Sequence, residues 1–343
     1  MDLAHFDYDL PDERIAQTPV EPRDAARLLV DRGPDRAPDD RHVRDLPLLV
    51  GPGDVVVVND TKVLAARLAL VKPTGGAVEV LLLEPCEDRA GCWEALVRPS
   101  RKVAPGTELS EPDGSDPVVE VGDDLGEGRR VVRILTDDLD SLLDRSGQVP
   151  LPPYVRETLD DPERYQTVFA RRAGSVAAPT AGLHLTPEVL DRIVAAGAEV
   201  HRVELLVGLG TFRPITVDRV EDHRMHSERY DVSAETLEAC RSAGRVIAIG
   251  TTVVRALESA AATDARSGRT DLFIHRGYPW ALVDVLMTNF HVPRSSLLVL
   301  VDAFVGDRWH DLYRHALEHD YRFLSFGDAM WLERAEWSER SST

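Results

Sequence analysis

The chain has 343 residues, of which 43% are hydrophobic and 29% are charged, as is usual for a soluble globular protein. Its formal charge of −19 argues against a non-specific nucleic-acid binder, which would carry a basic excess, but leaves room for a local basic patch. The length predicts two domains. Three cysteines fit neither a disulfide framework nor a zinc cluster. With no signal-peptide pattern and no apolar run long enough to span a membrane, a cytoplasmic location is expected.

Residues 54–58 are predicted to form a buried strand, because four valines follow Asp54 in a row. Short strand-like runs separated by Gly- and Asp-rich turns then fill residues 66–145; they are 78–84, 93–97, 117–121 and 130–135. This spacing is typical of a small antiparallel sheet or barrel. We therefore predict an inserted β-barrel domain at 66–145, within an α/β domain formed by 1–65 and 146–343.

Helices and strands alternate after residue 150, which indicates an α/β fold. Thr186 is predicted to cap a helix whose apolar face is Leu190, Ile193 and Val194, and Gly197 ends that helix. Strands are predicted at 199–206 and 246–250. Further helices are predicted after Ser233, with Leu237 and Cys240 inward, and from Thr251 through Glu258.

Two glycine-containing junctions could hold a ligand. Thr251 and Thr252 follow Gly250 where a strand passes into a helix, which is where open α/β sheets bind ligands, and Arg255 lies one turn further on. The alternative is a capped helix with a surface arginine. The run 207–214 contains Gly208 and Gly210 and continues through Thr211 and Arg213, but it lacks the third glycine of a dinucleotide fingerprint. Its alternative is a tight turn.

Histidines suggest acid–base chemistry in two further segments. Small residues dominate 175–186, where Thr180 and Gly182 precede His184; the start of the next helix would lower the pKa of His184 and keep it neutral. A buried, singly hydrogen-bonded histidine is the alternative. The pattern His223-x-x-His226-x-Glu228 predicts acid–base residues or a loop cluster rather than a metal site.

Polar side chains also mark three further places in the sequence. Asn59 follows the valine strand, and Thr288, Asn289 and His291 lie between two apolar runs where they could line a pocket. Asp328 could cap a helix or bind a ribose hydroxyl.

Ten sequence blocks occur in the order found in one enzyme family, and they cover most of residues 6–330. Among them are GDVVVVNDTKVLAARL, VPLPPYV, GSVAAPTAGLHLT, VGLGTFRPI, HRMHSERY, GTTVVRALES, TNFHVPRSSL and YRFLSFGDAM. The chain thus resembles the S-adenosylmethionine:tRNA ribosyltransferase-isomerase family of queuosine biosynthesis.

The resemblance implies an α/β domain with an inserted β-barrel, and S-adenosylmethionine as a consumed substrate, with no cofactor and no metal. The implied acceptor is the aminomethyl group of preQ1 at the wobble position of tRNA, and the products are epoxyqueuosine-tRNA, adenine and methionine. It suggests His184, His226 and Glu228 as acid–base residues. The implied substrate contacts are Asn59, Thr180, Gly182, Gly208, Gly210, Thr211, Arg213, Thr251, Thr252, Arg255, Thr288, Asn289, His291 and Asp328.

The sequence departs from the family pattern at Leu185, Val253 and Arg276, among other positions. Two alternatives therefore stay open: the same chemistry on a small-molecule amine, and a non-catalytic tRNA-binding protein. If tRNA binds, the visible basic clusters are 98–102, 129–130 and 171–172. Neither a membrane nor an obligate protein partner is indicated.

Overall fold

A computed structural model of the chain describes residues 1–86, 88–114, 116–208 and 215–334. The chain forms two compact units. The first unit comprises Met1–Lys62, Pro152–Arg172 and Ala178–Thr343, and the second comprises Val63–Leu151 and Ala173–Ala177. The first is an α/β unit and the second a closed antiparallel barrel, which confirms the predicted fold class. No helix in the described ranges is long and apolar enough to cross a membrane.

The strands, in chain order, are β1 (Arg27–Asp31), β2 (Asp39–His42), β3 (Asp54–Asn59), β4 (Thr61–Val63), β5 (Arg67–Val71), β6 (Ala77–Pro85), β7 (Cys92–Arg98), β8 (Thr107–Ser110), β9 (Pro117–Gly126), β10 (Arg129–Ile134), β11 (Gly147–Gln148), β12 (Arg172–Ser175), β13 (Glu199–Leu205), β14 (Glu228–Val232), β15 (Arg245–Ile249), β16 (Ser267–Thr270), β17 (Val285–Asn289) and β18 (Ala329–Glu333). The α-helices are α1 (Leu139–Ser146), α2 (Pro187–Ala195), α3 (Ala234–Ser242), α4 (Thr251–Thr263), α5 (Ser296–Val305) and α6 (Trp309–Glu318). Short 3-10 helices are Leu3–Phe6, Asp12–Arg14, Arg23–Ala25, Val43–Leu48, Ser100–Lys102, Pro162–Tyr165, Thr180–His184, Val220–Asp222 and Gly306–Arg308.

The sheet of the first unit has the strand order β16-β14-β13-β3-β15-β17-β18-β1-β2. Its central strands β13, β3, β15 and β17 run parallel to one another. Strand β18 is antiparallel to β17 and parallel to β1. Because parallel strands end at the same edge, the last residues of the four central strands lie side by side, and such an edge is the usual ligand-binding side of an open α/β sheet.

Strand β3 is predicted correctly, and all six of its residues are buried, as its run of β-branched side chains requires. Helix α2 starts as predicted, since the Thr186 hydroxyl accepts the Val189 N–H at 3.2 Å. Its buried side chains are Val189 and Ile193. The predicted inward position of Val194 is wrong: this side chain is 55% exposed. At about 100° per residue it lies roughly 140° around the helix from Val189.

Helix α4 begins at Thr251 as predicted, but it ends at Thr263 rather than at Glu258. The extension follows from Ala260, Ala261 and Ala262, which are strong helix formers. Gly250 precedes the helix with φ +99°, a conformation that L side chains rarely adopt. Glycine at this junction therefore permits the sharp turn from β15 into α4.

The barrel of the second unit has the order β5-β6-β7-β10-β9-β8, closed by pairing of β8 with β5. Strand β11 adds to β5. The four runs predicted between residues 66 and 145 correspond to β6, β7, β9 and β10, so the expected antiparallel strands are confirmed. Buried side chains such as Leu68, Leu70, Val119 and Val121 are spaced two apart, as the pleat requires.

Candidate active site

A cavity of about 310 Å³ lies in the first unit, where the central parallel strands end. Three strand ends contribute to its wall: Val207 follows β13, Gly250 follows β15, and Thr288 and Asn289 close β17. The volume falls in the range of small-molecule sites, roughly 300–1,000 Å³. The position of the cavity agrees with the binding edge expected from the sheet topology.

Polar side chains face this cavity from several elements. Six of the predicted substrate contacts line it: Thr180, Thr251, Thr252, Thr288, Asn289 and His291. The rest of the wall comes from Tyr154, Ala178, Pro179, Ala181, Val207, Gly250, Phe290, Val292, Pro293, Ser295, Leu297, Leu324 and Ser325. Hydroxyl, amide and imidazole groups are therefore set in a largely apolar wall.

The Asn289 side chain is held at both ends of its amide. Its Oδ1 accepts the Thr180 hydroxyl at 2.9 Å. Its Nδ2 donates to the Leu324 carbonyl at 3.2 Å and to Nε2 of His184 at 3.1 Å. A carbonyl can only accept, so the Leu324 contact fixes which way the amide points. Both protons of Nδ2 are used, and Oδ1 keeps a lone pair for a ligand.

His184 lies behind Asn289 and does not itself line the cavity. Because Nε2 accepts the amide proton, the neutral ring carries its own proton on Nδ1. The pKa of His184 is lowered to about 4, chiefly by burial and further by the positive charges of Arg322, Arg164 and Arg23. The predicted direction is confirmed, but burial and arginines, rather than the start of a helix, are its cause.

His291 does line the cavity and is paired with Thr288, whose Oγ1 lies 3.0 Å from the imidazole Nε2. Its backbone is fixed from two sides. The Tyr8 hydroxyl donates to the His291 carbonyl at 2.5 Å, and the His291 N–H donates to the Tyr313 hydroxyl at 3.0 Å. Burial lowers the pKa of His291 to about 3, so the ring is neutral at physiological pH.

Tyr154 and His291 are the only ionisable side chains that the described chain contributes to the cavity wall. The Tyr154 hydroxyl lies 2.6 Å from Oγ of Ser325, and burial raises the pKa of the phenol to about 12. This part of the wall is therefore electrically neutral near pH 7. Sequence reasoning gave Tyr154 no role, although it lies in the block VPLPPYV.

Asn59 supports the wall from the end of β3. Its Nδ2 donates to the Leu205 carbonyl at 3.0 Å and contacts the Thr252 hydroxyl at 3.3 Å, while its Oδ1 accepts the Leu205 N–H at 3.3 Å. It thereby joins the ends of β3 and β13 to the first turn of α4. Asn59 is buried behind Thr252 and does not line the cavity.

Arg255 and Glu228 form a buried ion pair that ties α4 to β14. The guanidinium Nε also donates to the Leu272 carbonyl at 3.1 Å, and Oε1 of Glu228 accepts the Gly208 N–H at 2.9 Å. Neither charged side chain, nor Gly208, lines the cavity. His226 lies on the exposed segment just before Glu228.

The remaining predicted contacts are backbone positions or structural ties. A Cβ on Gly182 would lie 2.7 Å from Cζ of Phe169, so this glycine permits close packing. The Asp328 carboxylate accepts the Arg27 N–H at 2.7 Å and the Arg322 N–H at 2.8 Å. Strand β18 follows it, so Asp328 caps no helix. Gly210, Thr211 and Arg213 lie outside the described residues.

Three potential metal ligands converge at one place in the described ranges, namely His5, Asp307 and His310. The Arg276 guanidinium occupies the same place, since its Nη2 lies 2.7 Å from Asp307 and 2.5 Å from Asp302. A cation would have to compete with this guanidinium for Asp307.

The departures from the family pattern lie away from the cavity wall. Leu185 is buried in the hydrophobic core of the first unit, and Val253 is buried within α4. Arg276 is ion-paired with Asp302. Since none of the three lines the cavity, the polar groups of its wall are those of the family blocks.

The chain is similar to several known proteins over nearly its whole length. Residues 3–332 match the family described as a queuosine biosynthesis protein. An S-adenosylmethionine:tRNA ribosyltransferase-isomerase from Rubrobacter xylanophilus is 52% identical over 333 residues, covering 97% of this chain and 98% of the relative. The same-named protein of Symbiobacterium thermophilum is 51% identical, covering 96% and 99%.

The chain belongs to the S-adenosylmethionine:tRNA ribosyltransferase-isomerase family of queuosine biosynthesis. A solved structure of an S-adenosylmethionine tRNA ribosyltransferase from Thermotoga maritima is also similar, with 36% identity and a TM-score of 0.54 over 95% of this chain and 99% of that one. The resemblance identified from the ten sequence blocks is thereby confirmed, and with it membership of an enzyme family.

Proposed function

We propose that the chain transfers the ribosyl moiety of S-adenosylmethionine to the aminomethyl group of preQ1 at the tRNA wobble position and isomerises it. The products are epoxyqueuosine-tRNA, adenine and methionine, and S-adenosylmethionine is consumed as a substrate. The observation that carries the proposal is the cavity of about 310 Å³ at the ends of β13, β15 and β17, with family block residues in its wall. The expected site of action is the cytoplasm.

The proposed reaction makes three demands on this wall. The sulfonium acidifies the C5′ protons, so a general base must accept one of them. Departure of adenine is helped by a proton donor or hydrogen-bond donor. The acceptor amine must be held close to C1′, because positioning accounts for much of the barrier lowering in a two-substrate reaction.

We assign the direct acid–base contacts to the two ionisable side chains that reach the cavity. His291 is neutral and is proposed to accept the C5′ proton, although its lowered pKa limits its basicity. Tyr154 is protonated and is proposed to donate a hydrogen bond to the departing adenine. The earlier candidates His184, His226 and Glu228 stay predictions; His184 reaches the cavity only through Asn289.

The neutral groups of the wall are proposed to bind the uncharged parts of S-adenosylmethionine. Thr180, Thr251 and Thr252 present hydroxyls that can donate to or accept from ribose hydroxyls and adenine. The free lone pair of Asn289 Oδ1 suits an N–H or O–H donor.

Adenine release tests the proposal directly. Purified protein is mixed with S-adenosylmethionine and an anticodon stem-loop bearing preQ1, and free adenine and the RNA mass are measured; a stem-loop with guanine at the wobble position is the control. Adenine with a mass gain on the preQ1 RNA alone is expected. Adenine without RNA modification would indicate a small-molecule amine acceptor. Absence of adenine would contradict the proposal and favour a non-catalytic tRNA-binding protein.

A further inference from the structure

A turn in the second unit concentrates positive charge on an otherwise acidic chain. The 3-10 helix Ser100–Lys102 follows β7 and exposes Arg101 and Lys102, with Arg98 exposed just before it. The Lys72 ammonium reaches the same turn and donates to the Lys102 carbonyl at 3.3 Å. We call Lys72, Arg98, Arg101 and Lys102 the basic turn surface.

Carboxylates neutralise little of this surface. Arg98 lies 4.0 Å from Glu79, at the limit of an ion pair. Within the described ranges, no carboxylate lies within ion-pair distance of Arg101 or Lys102. Both side chains therefore keep their charge available to a partner, in a chain with a formal charge of −19.

A buried arginine of the barrel holds the backbone of this turn in place. Arg130 is only 2% exposed, and its guanidinium donates to the Ser100 carbonyl at 3.3 Å, to the Val103 carbonyl at 2.9 Å and to the Gly122 carbonyl at 2.6 Å. The carbonyls on either side of Arg101 and Lys102 are thus tied to the barrel. A turn held in this way loses less conformational entropy when it binds a partner.

The other basic clusters visible in the sequence, at 129–130 and 171–172, are less available to bind an anionic partner, because most of their arginines are already hydrogen-bonded or ion-paired within the chain. The buried guanidinium of Arg130 donates its hydrogen bonds to backbone carbonyls. Arg129 is paired with Glu94 at 2.9 Å, and Arg172 with Glu204 at 3.1 Å. Arg171 remains exposed but lies close to Asp60: burial raises the pKa of that carboxyl, and the positive charges of Arg172, Arg202 and Arg171 oppose the rise.

We propose that the basic turn surface binds the phosphodiester backbone of the tRNA substrate. The inference rests on the proposed function, which names tRNA as the acceptor. A body of net charge −19 repels a polyanion, and screening confines the repulsion and any attraction to about 8 Å at physiological salt. A local cluster of unneutralised cations on a fixed turn supplies the attraction that phosphate binding needs.

The test is the salt dependence of tRNA binding by the full chain. The double variant Arg101→Glu and Lys102→Glu is compared with Arg89→Glu and Arg133→Glu, which reverses two arginines of the same unit that already face Asp123 and Glu120. Both variants change the net charge equally. Dissociation constants for tRNA are measured by fluorescence anisotropy from 50 to 300 mM salt.

We expect the first variant to bind tRNA at least tenfold more weakly at 100 mM salt, with a salt slope smaller by about one to two, because about two phosphate contacts are lost. The control should stay within about twofold of wild type if the local field, rather than net charge, decides binding. Thermal unfolding followed by circular dichroism shows that each variant is folded, since both pairs of substitutions lie in the second unit.

Equal slopes in wild type, variant and control would overturn the inference, as would a wild-type protein that binds no tRNA. If wild type releases adenine on preQ1 RNA while the slopes are equal, the proposed function stands and the surface is rejected. If the slope falls as expected but wild type releases no adenine, the surface stands and the proposed function is rejected.

Discussion

His184 and Asn289 form a direct link between the cavity wall and the side chains behind it. If His184 were the base, it would contribute to turnover independently of Asn289. If it only orients the Asn289 amide, its contribution to turnover would depend on Asn289. The hydrogen bond of 3.1 Å from Asn289 Nδ2 to His184 Nε2, with Asn289 alone lining the cavity, favours the second role.

A double-mutant cycle separates these roles. His184→Ala, Asn289→Ala and the double variant are compared by the turnover and KM of adenine release. We expect the double variant to be little slower than Asn289→Ala, with a coupling energy of roughly 1–3 kcal/mol. The reason is that Asn289→Ala removes the amide that His184 orients, so the further loss of His184 has no amide left to affect. Additive losses, with His184→Ala lowering turnover alone, would show that His184 is itself the base.

The buried neutral histidines also predict how stability depends on pH. In the unfolded chain His184 takes up a proton below about pH 6.5, but in the folded protein only below about pH 4. Between these values the unfolded state binds more protons, so the free energy of unfolding falls as the pH falls. The loss reaches about 3 kcal/mol near pH 4, and His291 adds a loss of the same sign that continues to about pH 3.

Chemical denaturation at pH 7.5, 6 and 5 measures this effect. His184→Gln has no proton to take up, so its free energy of unfolding should fall less steeply than that of wild type. The control is Val194→Ala, since this exposed side chain carries no titratable group and its change should leave the wild-type slope unchanged. A wild-type slope in His184→Gln would mean that this ring is already charged in the folded protein.

Residue types and motif order predicted six of the polar side chains that line the cavity, but not which of the predicted side chains point into it. Asn59 and Thr252 both belong to family blocks, yet Thr252 lines the cavity and Asn59 lies behind it, because the direction of each side chain depends on how β3 and α4 pack. Tyr154 was missed because its block lies outside any predicted element, so local periodicity gave it no position.

At the scale of elements, the short helix Thr180–His184 carries both a wall residue and the partner of Asn289. It can approach Phe169 closely only because residue 182 is glycine: a Cβ there would lie 2.7 Å from Phe169 Cζ and 3.1 Å from Thr167 Cγ2. Packing of this one turn therefore sets the position of two hydrogen-bonding side chains.

Gly182→Ala should accordingly displace this helix. We expect a loss of about 1–3 kcal/mol in the free energy of unfolding, from overpacking, and a raised KM for S-adenosylmethionine. Gly51→Ala is a matched control, because nothing lies within 4 Å of the added Cβ there and its φ is not in the left-handed region. Equal effects of the two changes would show that Gly182 has room for a methyl group after all.

Elements with strong local patterns were predicted, whereas those fixed by distant partners were not. The valines of β3 and the Thr186 cap of α2 signal their structures within a few residues. Strand β1 was not predicted from the sequence. This strand pairs with β18, where Leu28 lies opposite Ala329, and the residues next to Leu28 carry no signal of a partner 301 residues away. Side-chain burial around a helix depends on its neighbours, which is why Val194 was misplaced.

At the scale of the whole molecule, all described residues of the cavity wall belong to the first unit. Binding of S-adenosylmethionine should therefore slow backbone hydrogen exchange there, in peptides that contain 178–184, 250–254, 289–293 and 324–325. At a ligand concentration about 100 times Kd, openings that release the ligand become about 2.7 kcal/mol less favourable, so exchange through them slows about a hundredfold.

Peptides of the barrel strands β6, β7 and β9 serve as internal controls. Adenosine, which lacks the sulfonium and the methionine, is the control ligand. Protection limited to the cavity peptides would place the bound substrate in the first unit. Protection of the barrel peptides to the same extent would mean that the two units unfold together or share the substrate. Protection of the barrel alone would move the substrate site out of the cavity, and with it the roles proposed for His291 and Tyr154.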